Sequence, residues 1–91
     1  MPLTVRIVTP RKIVFEGIAD GVQAPGELGE FGVLPSHIPL VTTLKPGTVV
    51  VHGNPRRAFK VGTGFAEAGP DRVTLLVETC EEVEGNALTH G

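Results

Sequence analysis

The chain has 91 residues, of which 41% are hydrophobic and 20% are charged, and its formal net charge is −2. This length predicts one domain with a single core. The composition is that of a soluble globular protein, and no apolar run approaches the roughly 18 residues that a membrane span needs. The N-terminal segment MPLTVRIVTP lacks the basic and then apolar parts of a leader peptide. We therefore expect a cytoplasmic protein or a soluble part of a larger assembly.

Two further classes are disfavoured by the composition. Nucleic-acid binding usually needs a basic stripe with stacking aromatic side chains, whereas this chain has 8 Lys and Arg residues, 4 Phe, no Trp and no Tyr. The single cysteine, Cys80, excludes an internal disulfide and a cysteine-rich zinc site. We interpret Cys80 as a small apolar residue at the end of a strand, because free cysteines are usually buried and unreactive.

Alternation of apolar and polar residues predicts β-strands along most of the chain. In the first segment, LTVRIV, the residues Leu3, Val5 and Ile7 fall on one face, while Thr4 and Arg6 fall on the other. The segments TVVVH, RAFKV and RVTLLVE repeat this pattern, and their inward residues are Val49, Val51, Phe59, Val61, Val73, Leu75 and Val77. Such alternation is typical of half-buried antiparallel strands.

Glycine and proline residues divide these segments at short intervals. Turn signals occur at 9–10, 25–29, 45–47, 52–55, 62–64 and 69–71. Their spacing of about 8–12 residues favours an all-β sandwich or barrel. We expect Gly62 and Gly64 to mark a bulge or a close approach of two strands. Residues 1–81 are predicted to form the sandwich domain, and 82–91 a flexible C-terminal tail.

The chain offers few candidates for catalysis or metal binding. Ser36 and His37 are adjacent, so in an extended chain their side chains point to opposite faces and do not form a nucleophile and base pair. The three histidines lie 15 and 38 residues apart, without metal-ligand spacing. A small enzyme or ligand-binding module that uses His37, Glu27 and Glu30 stays open as an alternative. The two glutamates also fit solvated loop charges.

Residues 30–47, EFGVLPSHIPLVTTLKPG, combine apolar character with three prolines and a histidine. Phe31 and Val33 share one face of a predicted strand, whereas Glu30 and Leu34 share the other. The outward apolar residues fit either a second layer of core or an exposed patch that a partner covers. The prolines would hold such a patch in a fixed shape and so lower the entropic cost of docking.

The order of motifs resembles the epsilon subunit of bacterial F-type ATP synthases, from about residue 3 to residue 81. The motifs are VTP, VFEG, APGE, GEFGVLP, PLVT, LKPG and GFAE, and the stretch GEFGVLPSHIPLVTTLKPG is the most specific part. This resemblance implies a flattened antiparallel β-sandwich of about ten short strands. It also implies a non-catalytic subunit of the central stalk, which docks on the gamma subunit and on the loops of the membrane c-ring to couple ion translocation to ATP synthesis.

The resemblance implies docking residues rather than catalytic ones. The implied c-ring contacts are Glu30, Val33, Leu34 and His37. The implied gamma contacts are Thr9, Pro10, Arg11, Thr42 and Thr43. Because the ring loops carry an arginine in that family, Glu30 would make a charge-assisted hydrogen bond there. No metal, cofactor or ATP site is expected. The implied location is the cytoplasmic face of the bacterial inner membrane, or its organellar equivalent, with membrane contact only through the complex.

Two features depart from the family pattern. Ser36 stands where the family usually has Gly, so Ser36 would be strained if this position requires φ > 0. The family also usually continues as an Ala-rich helical hairpin that inhibits ATP hydrolysis in many species, and this sequence stops before any such hairpin. We expect either a truncated chain or a natural short form without the inhibitory arm. We favour the short form, since Gly85 and Asn86 are poor helix formers.

Overall fold

The computed structural model describes residues 2–36 and 38–83. Within these residues the regular structure consists of ten β-strands and no helix. The strands are β1 (Leu3–Val8), β2 (Ile13–Ala19), β3 (Gly21–Gly26), β4 (Gly29–Val33), β5 (Leu40–Leu44), β6 (Gly47–His52), β7 (Arg57–Val61), β8 (Gly64–Ala68), β9 (Arg72–Val77) and β10 (Cys80–Val83). No helix in the described part of the chain is long and apolar enough to cross a membrane. The all-β prediction and its number of strands are confirmed.

All ten strands belong to one hydrogen-bonded sheet, which folds over on itself as a sandwich. Along the sheet the order is β10-β7-β6-β3-β5-β8-β9-β1-β2, and β4 pairs with β3 off this path. The two halves of the sheet meet at β3 and β5, whose pairing consists of one residue pair, Gly26 opposite Leu44. β4 and β5 are not paired with each other, and a groove opens between them.

One strand pair is parallel, which differs from the prediction of an antiparallel sandwich. β1 pairs with β9 in parallel, with Val5 opposite Val73 and Ile7 opposite Leu75. The other strand pairs are antiparallel. β1 and β9 are separated by most of the chain, so no tight hairpin constrains their relative direction.

The inward residues predicted from the alternation form the core. Leu3, Val5 and Ile7 are each 0% exposed. The other predicted inward residues are also buried, and these are Val49, Val51, Phe59, Val61, Val73, Leu75 and Val77. Among the residues that the structure describes, no polar or charged side chain is buried. Burial of apolar surface is therefore the main favourable term in the folding of this domain.

An aromatic pair and an arginine connect the two halves of the sandwich. The ring centroids of Phe15 in β2 and Phe59 in β7 are 5.4 Å apart, with the ring planes tilted by 51°. The guanidinium carbon of Arg57 lies 5.0 Å from the Phe15 centroid, a distance at which a cation attracts an aromatic face. Arg57 also donates hydrogen bonds of 2.8 and 2.6 Å to the two carboxylate oxygens of Glu82 in β10.

The glutamate of this ion pair, Glu82, lies beyond residue 81, the predicted end of the sandwich. Glu82 is opposite Phe59 and Val83 is opposite Ala58 in the pairing of β10 with β7. These two residues therefore belong to the sandwich rather than to the tail predicted at 82–91. The rest of that predicted tail, 84–91, lies outside the described residues.

Gly64 pairs with Val77, and the backbones of β8 and β9 approach each other closely at this pair. A Cβ at this position would overlap the carbonyl oxygen of Leu76 and lie 2.8 Å from the Cα of Val77. At Gly62 a Cβ would lie 2.6 Å from the hydroxyl oxygen of Thr79. The predicted close approach of two chain segments at these glycines is confirmed.

Candidate docking surface

The first part of the candidate site is β4 and the residues that follow it. Glu30 is exposed, and the side chain of Leu34 is 67% exposed. Phe31 is partly buried and packs against the core. The strand therefore presents a carboxylate to solvent, and the chain after it presents a large apolar side chain.

Val33 does not fit the prediction that it is a contact residue. Its side chain is 1% exposed and belongs to the core cluster. Alternation along β4 directs Val33 inward, opposite Val22 of β3. A partner of the folded domain therefore has no access to this side chain, and we remove Val33 from the candidate surface.

The turn after Leu34 has the backbone conformation anticipated from the family pattern. Ser36 has φ of 69°, in the left-handed region that disfavours residues with a Cβ. Its N–H donates a 2.6 Å hydrogen bond to the carbonyl oxygen of Pro70. This bond attaches the turn to the segment between β8 and β9. The predicted contact His37 lies outside the described residues.

A groove opens between β4 and β5, and we call it the β4 groove. Its lining residues are Gly26, Leu28, Gly29, Glu30, Phe31, Gly32, Leu40 and Thr42. The side chain of Leu28 at the β3–β4 turn is fully exposed. The groove thus combines one carboxylate with several apolar side chains.

The second part of the candidate site is the turn between β1 and β2. The Thr9 hydroxyl oxygen accepts hydrogen bonds of 3.3 Å from the N–H groups of Arg11 and Lys12. The Thr9 N–H donates a 2.9 Å bond to the carbonyl oxygen of Lys12. Pro10 and Arg11 are exposed at the tip of this turn. The predicted turn at 9–10 is confirmed, and its own hydrogen bonds hold it in shape.

Thr9 and Pro10 lie on a larger open groove of about 640 Å³, which we call the β8–β9 groove. Its lining residues are Val8, Thr9, Pro10, Glu27, Thr43, Leu44, Thr63, Gly64, Phe65, Leu76, Val77 and Glu78. Three of the five predicted gamma contacts, Thr9, Pro10 and Thr43, therefore share one surface. Thr42 lines the β4 groove instead, because neighbouring residues of a strand point to opposite faces.

Sequence reasoning missed the two large exposed apolar side chains of the β8–β9 groove. Phe65 is 55% exposed and Leu76 is 49% exposed. Both occupy outward positions in alternating strands, where a polar residue is usual. The signal available in the sequence was an apolar residue at an outward position of a strand. In the dipeptide Leu75–Leu76 this residue breaks the alternation of apolar and polar residues.

Of the alternative catalytic site, the structure describes Glu27 and Glu30, and these two carboxylates line different grooves; His37 lies outside the described residues. Glu27 lines the β8–β9 groove, whereas Glu30 lines the β4 groove. No group of three or more His, Cys, Asp or Glu residues suited to a metal ion occurs in the described ranges. Cys80 is partly buried at the start of β10, as expected of a strand-end residue, and burial raises the pKa of its thiol. A raised pKa disfavours the reactive thiolate.

Comparison with known proteins identifies the family. A family model described as the β-sandwich domain of the ATP synthase delta/epsilon chain matches residues 2–83. The chain belongs to this family of β-sandwich domains. The resemblance inferred from the motifs is thereby confirmed.

Relatives named ATP synthase epsilon chain show the same relation at the level of sequence. The protein of Desulfosudis oleivorans is 46% identical over 84 residues, which cover 90% of this chain and 63% of that protein. The protein of Acidithiobacillus ferridurans is 43% identical over 82 residues, with coverages of 89% and 58%. The chain thus spans about three fifths of the length of these curated relatives. The Caulobacter vibrioides protein, 44% identical over 77 residues, is matched over 90% of its own length.

Solved structures support the fold. A chain in the mitochondrial ATP synthase of Euglena gracilis, described as OSCP/F1/c-ring, superposes with a TM-score of 0.83 at 17% identity, covering 98% of this chain and 60% of that chain. A chain from the central stalk and c-ring of the Tetrahymena thermophila mitochondrial ATP synthase superposes with a TM-score of 0.73 at 14% identity. The match covers 89% of this chain and 66% of that chain. At these identities the likeness concerns the fold alone.

Proposed function

We propose that this domain is a non-catalytic docking module of the central stalk of an F-type ATP synthase. It binds the gamma subunit and the loops of the membrane c-ring at the same time, and so helps to couple ion translocation to ATP synthesis. Membership of the delta/epsilon family supports this proposal, as do relatives named ATP synthase epsilon chain. The module acts at a membrane that it touches only through the complex, in bacteria at the cytoplasmic face of the inner membrane.

The observation that carries the proposal is the arrangement of the two grooves. They adjoin at the β3–β4 turn, where Glu27 lines one and Leu28 lines the other. They adjoin again in β5, where Thr43 and Thr42 are divided in the same way. A domain with two neighbouring exposed surfaces, each with apolar side chains, is suited to contact two partners from one end.

We assign the c-ring contact to Glu30 and Leu34, together with His37 as the resemblance implies. Glu30 is exposed beside the apolar lining of the β4 groove. A carboxylate in this position accepts a hydrogen bond from an arginine of the ring loop, and partial exclusion of water strengthens that bond. Leu34 lies outside the lining of this groove and would add apolar area to the c-ring contact after the end of β4. We assign the gamma contact to Thr9, Pro10 and Thr43, with Arg11 and Thr42 at its margins.

The test is a charge reversal at Glu30. We expect Glu30→Lys to reduce ATP-driven proton pumping in reconstituted vesicles while the thermal melt of the domain stays within about 0.5 kcal/mol of wild type, since the side chain is exposed. Glu67→Lys is the matched control, because Glu67 is an exposed carboxylate on β8 outside both grooves. Equal loss of pumping in the two variants, or a parallel loss of pumping and stability at Glu30, would refute the proposed contact.

A further inference from the structure

The floor of the β8–β9 groove is a row of apolar side chains on the outer face of the sheet. Phe65 pairs with Thr43 on one side and with Leu76 on the other. Leu76 is opposite Val8 in the parallel pairing of β9 with β1. Phe65 and Leu76 each keep about half of their surface exposed, at 55% and 49%. Two large apolar side chains side by side on an outer sheet face are the usual mark of a surface that a partner covers.

The next row along the same face is mostly polar. From β8 to β2 it contains Glu67, Thr74, Arg6 and Glu16, which are cross-strand partners of one another. Arg6 donates hydrogen bonds of 2.9 and 2.8 Å to one carboxylate oxygen of Glu16. The row continues on β5 with Val41, which is opposite Glu67 and 69% exposed. It thus has one apolar side chain beside four polar ones, whereas Phe65 and Leu76 are direct neighbours.

The rim of the groove determines what kind of partner fits. Two carboxylates, those of Glu27 and Glu78, line it, and among the described residues no Lys or Arg does. Their backbones are fixed, since the Glu27 N–H donates to the Thr43 carbonyl at 3.2 Å and the Glu78 N–H donates to the Thr63 carbonyl at 3.0 Å. The structure records no ion pair for either carboxylate among the residues it describes. A complementary segment is apolar at its centre and carries Lys or Arg at its flanks.

We propose that Phe65 and Leu76 are the apolar anchors of the gamma contact, and that Glu27 and Glu78 pair with basic residues of gamma. This inference rests on the proposed function and extends it, because neither anchor is among the contacts implied by the family motifs. The argument for gamma as the occupant is continuity: Thr9, Pro10 and Thr43 border the same groove. Apolar side chains at the centre of an interface, surrounded by polar ones, usually carry most of the binding free energy.

The test measures binding of the 91-residue chain to the immobilised α3β3γ complex of the same enzyme. Phe65→Thr and Leu76→Thr keep the strand propensity of each position and remove the apolar side chain. We expect each to weaken Kd by about tenfold or more. Ile18→Thr is the matched control, since Ile18 is a β-branched apolar residue on β2 that is 68% exposed and lies outside the groove. The control should bind like wild type.

The outcomes separate this inference from the proposed function. If wild type binds and the two anchor variants bind as well as Ile18→Thr, the anchors are refuted while the docking function stands. If folded wild type does not bind the α3β3γ complex, the docking function itself fails.

A Glu27→Lys, Glu78→Lys double variant tests the rim: we expect slower association and a weaker dependence of the rate on salt. An unchanged salt dependence would refute the charge pairing.

Discussion

Val33 and Leu34 are neighbours in the chain, yet their side chains are 1% and 67% exposed. The division follows from the pleat of β4, which directs Val33 toward Val22 and leaves Leu34 at the end of the strand. One residue supports the fold and the next is available to a partner. Stability and docking are therefore separable at adjacent positions.

Alanine at each position tests this separation. We expect Val33→Ala to lower the free energy of unfolding by about 2 kcal/mol, because it removes two buried carbon atoms and leaves a small cavity. Leu34→Ala should change it by less than about 0.5 kcal/mol and should weaken association with the c-ring instead. Urea unfolding and binding to purified c-ring measure the two effects. A Leu34→Ala variant that unfolds as readily as Val33→Ala would place Leu34 in the core.

Ser36 is a second position where a single residue should have a measurable effect on the stability of the domain. Its φ of 69° costs an L-residue about 1–2 kcal/mol relative to glycine. Glycine at this position loses more entropy on folding, by about 0.5–1 kcal/mol. We expect Ser36→Gly to stabilise the domain by about 0.5–1 kcal/mol, seen as a Tm rise of several degrees. Ser36→Ala keeps the strained backbone and should give no gain; equal stabilisation by alanine would contradict the explanation.

At the scale of a strand pair, the close approach of β8 to β9 depends on Gly64. A Cβ there would overlap the Leu76 carbonyl oxygen, so Gly64→Ala forces the strands apart. We expect a loss of more than about 2 kcal/mol in thermal or urea unfolding, together with a distorted β8–β9 groove. Gly69→Ala is the control, because a Cβ at Gly69 would meet no atom within 4 Å. It should be neutral or slightly stabilising; equal losses at both glycines would refute the steric argument.

The attachment of β10 depends on the Arg57–Glu82 ion pair. The hydrogen bond from Arg57 lowers the pKa of Glu82 below its ordinary value, and the same bond raises the pKa of Arg57. A carboxyl whose pKa is lower in the folded state contributes its stabilisation at higher pH and loses it as the pH falls through the lowered pKa. Both side chains are 40% or more exposed, so solvent screens the pair and its contribution to global stability is small.

The effect of this pair should be visible locally, in the amide exchange of β10. We expect Glu82→Gln to reduce the exchange protection of β10 relative to β6 at neutral pH. Wild type should lose the same protection as the pH falls below the ordinary range of a glutamate. The variant should show little pH dependence in that range. A pH dependence of β10 protection that is identical in wild type and Glu82→Gln would mean that the ion pair does not hold the strand.

The strands themselves could be predicted from the sequence, whereas their arrangement could not. Alternation identified the inward faces of β1, β7 and β9, because it reflects burial on one side of a sheet. The parallel pairing of β1 with β9 and the single residue pair between β3 and β5 depend on contacts between distant segments, which no local pattern encodes. The same limit applies to the grooves: Thr42 and Thr43 are adjacent in sequence, and only the fold assigns them to different surfaces.

At the scale of the whole molecule, the two grooves adjoin at the β3–β4 turn and in β5, whereas Leu34 lines neither of them. Among the described residues the core consists of apolar side chains, and their role is structural. The exposed apolar side chains of the grooves include Leu28 at the β3–β4 turn, and Phe65 and Leu76 on β8 and β9. A rigid sandwich with two adjoining surfaces would transmit torque between two partners without changing its own shape.

The most direct measurement is a single-particle reconstruction of an ATP synthase complex in which this chain is the epsilon component. The account predicts a domain at the foot of the central stalk, with the β4 groove against the c-ring loops and the β8–β9 groove against gamma. Phe65 and Leu76 should be buried there, and Glu30 should lie within hydrogen-bond distance of a ring arginine. A bound domain with both grooves facing solvent, or a folded chain that does not enter the complex, would contradict the account.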